Sequence, residues 1–147
     1  MGGNPGSMKK INIGCNTLII KDKKILLGKR KNCAGEGTWG LPGGHLQFGE
    51  DLIEAAKREV LEEIGVKDGD LELISVTEGV KDEKKHYIQA NFLLSNFSGE
   101  YKLMEPEKCE EWRYFELTDL PELFPPHKTI IQAFIQKKRY LKGDEPD

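Results

Sequence analysis

The sequence predicts a mixed α/β domain. Two stretches, 50–64 and 128–141, carry apolar residues at helical spacing. Apolar or alternating stretches of strand character lie before, between and after them, and 147 residues is the length of one ordinary domain. Ile11, Ile13 and Cys15 alternate and Leu18-Ile19-Ile20 continues the signal, which reads as a first strand. Lys21 to Lys24 is a polar turn, and Ile25-Leu26-Leu27 begins a second strand. Gly28 to Gly37 reads as a partly basic loop, with Lys29, Arg30 and Lys31. A short Trp39-Gly40-Leu41 element follows and is broken by Pro42-Gly43-Gly44. The helix over 50–64 places Leu52, Ile53, Ala56, Val60 and Ile64 on one face, and Gly65 closes it just past the last turn. Leu71 to Val76, Tyr87 to Leu94 and Trp112 to Leu117 read as strands, with a polar loop over Lys81 to Lys85. Thr118-Asp119-Leu120-Pro121 looks like a capped short turn of helix. After Pro125-Pro126, residues 128–141 form a second long helix with Ile131, Phe134, Ile135 and Leu141 apolar. Residues 1–7 read as a vector-derived scar before Met8, the domain is expected over 8–141, and 142–147 reads as a disordered tail.

Composition narrows the function classes. Hydrophobic residues make up 37% and charged residues 32%, a globular composition that can bury a core without disulfides. The net charge of -3 lacks the basic excess that gives nucleic-acid polymers their affinity for a protein. No apolar run approaches the ~18 residues that span a bilayer, and no signal peptide is visible, so a cytoplasmic protein without a membrane partner is expected. Cys15, Cys33 and Cys109 are odd in number and widely spaced, which reads as reduced packing thiols. Residues 50–63 hold six acids and two bases, a net of -4, so the rest of the chain sums to +1. The acidic excess is confined to one helix.

That helix is the informative segment. Glu59 and Glu63 are four apart and Glu59 and Glu62 three apart, so their β-carbons are neighbours at about 5–6 Å. Two carboxylates ~6 Å apart repel by roughly 3 kcal/mol at an effective dielectric near 20. In water the cost falls to a few tenths of a kcal/mol, and Arg58 and Lys57 relieve part of it. Such a cluster is either a solvated acidic face or a site for a hard divalent cation, which takes oxygen ligands. The preceding Leu41-Pro42-Gly43-Gly44-His45 ends a strand in a glycine turn that lets backbone approach a ligand closely. A strand end, a glycine turn and a carboxylate-bearing helix together build a concave place for a metal–phosphate complex.

Gly44, five residues, Glu50, seven residues, then Arg58-Glu59-Val60-Leu61-Glu62-Glu63-Ile64-Gly65-Val66 resembles a complete Nudix box, with nine positions agreeing over 23 residues. Trp39 to Leu46, His86-Tyr87 and Met104-Glu105-Pro106-Glu107-Lys108-Cys109-Glu110 are similar to a MutT-like subgroup of nucleotide diphosphatases. The resemblance implies the Nudix fold, a mixed curved β-sheet sandwiched between α-helices. It implies hydrolysis of a nucleoside diphosphate linked to another group, with Mg²⁺ (or Mn²⁺) as cofactor. By position, Glu59, Glu62 and Glu63 match the family's metal ligands and the Gly44 carbonyl matches a backbone ligand. Arg58 matches the residue that orients carboxylates, and Glu50 the acid at the helix start. The base is a box glutamate such as Glu59 or Glu63, or a later acid, for which Glu105 is the candidate.

The resemblance is weaker on substrate. The array that marks NADH diphosphatases is absent, and so is the proline about fifteen residues past the box that is typical of ADP-ribose enzymes. A small-molecule nucleoside triphosphate, including a modified dNTP, cut to monophosphate and pyrophosphate is the preferred expectation. Hydrolysis of ADP-ribose, a nucleotide sugar or an isoprenoid diphosphate is the alternative, and a non-catalytic binding module is disfavoured because every carboxylate is kept. Trp39, His86, Tyr87 and Trp112 are candidate base-stacking residues. A monomer or homodimer is expected.

Overall fold

The computed structural model describes residues 9–81 and 84–143, so the expected scar at 1–7 lies outside the described residues. An eight-stranded mixed sheet is built from β1 (Lys10–Lys21), β2 (Lys24–Arg30), β3 (Trp39–Gly40), β4 (Gly43–His45), β5 (Asp70–Lys81), β6 (Lys85–Ser95), β7 (Cys109–Glu116) and β8 (Tyr140–Lys142). Two helices, α1 (Leu52–Ile64) and α2 (Pro125–Ile135), pack on it. The path runs β3-β2-β1-β6-β5-β8, with β4 also pairing β1 and β7 also pairing β2. β1 pairs β6 in parallel over Lys10↔Lys85 to Ile19↔Leu94, and both strands are antiparallel to their other long neighbours.

The helices cover opposite faces, and strand alternation shows why. Leu18, Ile25 and Leu27 pack with Ile130 and Ile131 of α2 and with Trp39 and Leu41. Their chain neighbours Ile19 and Leu26 pack with Val60 and Ile64 of α1, and Cys15, Ala90 and Phe92 pack with Ala55 and Ala56. A period of two sends each adjacent pair to opposite layers. The run Gly14–Ile19 is therefore buried without a break, as expected for a strand covered on both sides.

The elements differ from the sequence expectation in identifiable ways. The β1–β2 turn is only Asp22-Lys23, both at positive φ (53° and 65°), a two-residue hairpin turn built without glycine. β2 continues into the expected loop as far as Arg30 because β7 and β3 pair with it. Residues 43–45 are a strand, not a turn, since β4 pairs Gly14–Asn16 of β1. Residues 117–119 form a turn and a bend, and 118–121 contain no helix. α2 starts earlier, on Pro125, and ends earlier, at Ile135. Proline suits the first helical turn because its missing N–H has no partner there anyway. Lys137 at φ 58° ends the helix, and Tyr140–Lys142 pair with Val76–Glu78 along β5. The expected tail is thus corrected at its start: Lys142 closes a strand and the Gly143 N–H donates to the Glu78 carbonyl at 2.8 Å, while 144–147 lie outside the described residues. Among the described residues no helix is long and apolar enough to cross a membrane.

Candidate active site

The site is built around α1, whose ends are defined by its own sequence. Glu50 stands outside the helix and Asp51 is the N-cap. The Asp51 carboxylate accepts the Glu54 N–H at 2.8 Å and Glu54 accepts the Asp51 N–H at 2.9 Å, a reciprocal capping box. Gly65 takes the left-handed conformation (φ 73°) and its N–H bonds Leu61 O, the turn that favours glycine. Two last-turn carbonyls find partners in a distant loop: Lys102 N–H donates to Ile64 O at 2.8 Å and Met104 N–H to Glu63 O at 3.4 Å. The free carbonyls of the helix end thereby draw the 102–104 segment, and with it Glu105, to the helix.

Arg58 organises the acidic face. Its Nε donates to Glu50 Oε2 at 2.7 Å and its second guanidinium arm to Glu50 Oε1 at 3.1 Å, a bidentate pair. It also reaches Glu59 at 2.8 Å, Glu62 at 3.4 Å and the His45 carbonyl at 3.1 Å. The Arg58 hydrogen bonds, with one from the Gln47 N–H, hold the Glu50 carboxyl below the usual range. Arg58 is raised in turn, first by its bond to Glu50.

Glu63 is in the opposite condition. Its Oε1 accepts the Gly43 N–H at 3.0 Å, and among the described residues no lysine or arginine pairs with it. Withdrawal from water pushes its carboxyl up to about 9, the Gly43 hydrogen bond opposes this, and the charges of Glu59 and Glu105 add to the rise. Glu105 is raised too, chiefly by burial, with Glu59 and Glu62 among the charges it feels. Gly44 lies against Glu59: a β-carbon there would meet the Glu59 carboxyl carbon at 2.5 Å, so any larger residue would push the carboxylate out of its present place.

The structure therefore brings together the residues singled out for metal binding and catalysis, namely Gly44, Arg58, Glu59, Glu62, Glu63 and Glu105. The all-oxygen donor set fits a hard divalent cation. Glu63 is raised first by burial and then by the Glu59 and Glu105 charges, and a cation beside it would offset both. Among the described residues no three acidic, histidine or cysteine groups form a ready-made cage, and the Arg58 guanidinium contacts both Glu59 and Glu62.

Beside Glu63 and Glu105 opens a cavity of about 330 Å³. Arg30, Lys108, Asn32, Cys109 and Trp112 stand on its walls, and Gly40, Leu41 and Gly43 lie along it. Of the four aromatic candidates only Trp112 lines it. Trp39 is buried in the core, edge-on to Phe115 at 4.8 Å. His86 bonds Glu78 at 2.7 Å, and Tyr87 is buried against Gly79. The sequence did not single out Arg30, Asn32 or Lys108 as site residues. They meet because β2 pairs β7 (Arg30↔Cys109) and the Asn32 side chain bonds Glu107 O at 2.9 Å. The basic character of the 28–37 loop is the local signal for Arg30, and Asn32 and Lys108 have none of that kind.

Comparison with known proteins points the same way. The family profile described as NUDIX domain matches residues 8–134. Over 127 residues the chain is 36% identical to an ADP-ribose pyrophosphatase of Methanocaldococcus jannaschii, covering 86% of this chain and 74% of that protein. It is 29% identical over 129 residues to the oxidized purine nucleoside triphosphate hydrolase of Mus musculus, covering 84% and 79%. The crystal structure of a MutT NUDIX hydrolase from Burkholderia pseudomallei superposes with a TM-score of 0.79 at 32% identity, covering 84% of this chain and 98% of that one.

Proposed function

The chain belongs to the Nudix hydrolase family, and from that premise we propose that it hydrolyses a nucleoside triphosphate to the monophosphate and pyrophosphate. The domain would span 8–141 and act in the cytoplasm, as a monomer or homodimer, on a free nucleotide. The cavity beside Glu63 carries this reading. At about 330 Å³ it is at the small end of the roughly 300–1,000 Å³ of small-molecule sites. That is room for one nucleoside, with the phosphates running out toward the acidic helix. A triphosphate needs nothing more, whereas ADP-ribose carries a second ribose beyond its diphosphate.

Each residue then has a task. Glu59, Glu62, Glu63 and the Gly44 carbonyl would hold Mg²⁺ or Mn²⁺. The bound ion would neutralise phosphate charge and lower the barrier to attack by water. Arg58 keeps Glu59 and Glu62 aligned, and Glu50 keeps Arg58 aligned. Glu105 or a box carboxylate takes the proton of the attacking water as the bridging P–O bond breaks, a contribution of about 10²–10⁴-fold. Glu105 suits this because burial raises its carboxyl above the usual range, which makes its carboxylate a stronger proton acceptor than an ordinary glutamate. Trp112 and the Arg30 and Lys108 side chains face the nucleoside end.

The 36% identity to an ADP-ribose pyrophosphatase favours the second reading, hydrolysis of a nucleotide linked to a sugar phosphate. A product assay with NTPs, dNTPs, oxidised dNTPs and ADP-ribose separates the two. Pyrophosphate and monophosphate from the triphosphates is the expected result. AMP with ribose phosphate from ADP-ribose, at a higher kcat/KM than any triphosphate, overturns it.

A further inference from the structure

β3 is two residues long, yet the chain that leaves it lines the cavity and supplies the hydrogen bond to Glu63. Its support comes from the entry to α2. Trp39 N–H donates to Glu122 O and Phe124 N–H to Trp39 O, both at 2.9 Å, a short parallel ladder. The next rung would serve the Leu41 N–H, but at Pro125 the chain turns into α2 and leaves the ladder. A side chain takes that place: His127 Nδ1 accepts the buried Leu41 N–H at 2.9 Å.

The imidazole fits its socket closely. It is 6% exposed and packs edge-on to Phe124 at 5.0 Å, and Arg30 of the cavity wall lies 3.7 Å over the Phe124 ring. A β-carbon on Gly40 would meet Nδ1 at 2.7 Å. Because Nδ1 accepts, Nε2 carries the proton. Burial pushes the ring's pKa down to about 3, so it is neutral at working pH and the acceptor does not switch. The three residues that follow are pinned in series. Leu41 is held by His127, Pro42 O accepts the Thr17 N–H at 2.9 Å, and Gly43 N–H donates to Glu63 at 3.0 Å.

We propose that His127 is a positioning residue for Glu63: through Leu41 N–H it fixes the Gly40–Gly43 segment that aims the Gly43 N–H at the Glu63 carboxylate. The proposal rests on Glu63 acting in the hydrolytic site, and it is independent of which nucleotide is cut. A core histidine serving only to fill space would be replaced by leucine without a change in turnover.

His127→Asn and His127→Leu decide between them, since an asparagine oxygen falls near the Nδ1 position and leucine has no acceptor. In His127→Leu, kcat is expected to fall about 10–100-fold with KM within about threefold, the scale of a misplacement near 1 Å. His127→Asn is expected to stay within about fivefold of the parent protein, as one acceptor replaces another. Amide hydrogen exchange without metal or substrate supplies the second readout: the Leu41 and Gly43 amides speed up in the leucine variant and stay protected in the asparagine one. A folded leucine variant with parental kcat overturns the proposal. So does unchanged exchange at both amides, or an asparagine variant as impaired as leucine. Should leucine prevent folding, His127→Gln replaces it, since its amide reaches the Nε2 position; turnover and exchange equal to His127→Asn would then overturn the proposal. If the parent protein cleaves nothing in the nucleotide panel, the substrate reading fails, and the exchange data still judge the link from His127 to Gly43.

Discussion

Helices α1 and α2 lie on opposite faces of one sheet and are held by opposite means. α1 has a reciprocal capping box at its start and a left-handed glycine at its end, both written in its own sequence. α2 starts on two prolines after Phe124, has no side-chain cap, and leaves the helix through a lysine in the left-handed region. α1 buries Ala55, Ala56, Val60 and Ile64 and turns Arg58, Glu59, Glu62 and Glu63 to the site, while α2 buries the polar His127 and Thr129 along with its aliphatic residues. A helix that defines itself locally keeps a fixed spacing of carboxylates whatever the rest of the fold does. A helix defined by the sheet can reach across and hold other parts in place. On this view the chemistry belongs to α1 and the positioning to α2.

The strongest way to break that division is Glu63→Gln. The amide keeps the shape and an oxygen for the Gly43 N–H, but it cannot ionise. Turnover is expected to fall by about 10²–10⁴-fold, with the melting temperature in the same metal-free buffer within a few degrees. Steady-state kinetics and a thermal melt check both. A variant with near-parental kcat would remove the chemistry from α1.

The next effect is about tenfold per pH unit, the equivalent of one proton. Burial pushes the Glu63 carboxyl from the ordinary 4.5 up to about 9 in the folded protein. The folded state therefore keeps a proton that the unfolded chain loses. Metal-free stability from this group is fully present below pH 4.5 and declines as pH rises toward 9. A metal ion at Glu63 must displace that proton. Its affinity is expected to rise up to tenfold per pH unit across this range, with about one proton released near neutrality. Calorimetric titration with Mg²⁺ or Mn²⁺ in two buffers of different ionisation enthalpy counts the proton. None released would mean that Glu63 is already ionised, or that the ion binds elsewhere.

The same contrast explains what could be read from the sequence. The α1 boundaries came within two residues, and the carboxylate spacing and the glycine turn were legible, because each is a signal within a few residues of the chain. The sequence predicts the second helix over 128–141 because Leu141 continues an apolar pattern. No local signal reveals that β5 has an open edge which takes up Tyr140–Lys142. Glu105 could be named from its motif, but the reason it stands beside Glu63 is the bonding of Lys102 and Met104 to the end of α1. Arg30, Lys108 and His127 could not be placed at the site from the sequence for a related reason: Arg30 and Lys108 meet through the pairing of β2 with β7, and His127 reaches Leu41 from α2, contacts between residues far apart in the chain.

The smallest expected effect tests whether α1 is self-defined. Asp51→Ala removes the side-chain half of the capping box, leaving the Glu54 N–H without its partner. The loss is expected to be about 1 kcal/mol of stability, a fall in melting temperature of about 2–4 °C for a chain of this size. Turnover should change less than about twofold, because a lost cap frays only the first turn. Glu59 lies two turns further on, tied through Arg58 to Glu50 outside the helix. A denaturant melt and a kcat measured well below the transition give the two numbers separately. A kcat loss larger than this stability loss accounts for would mean that the helix start is part of the site. The carboxylate array would then depend on the 46–51 turn as much as Glu63 depends on the strand that α2 holds.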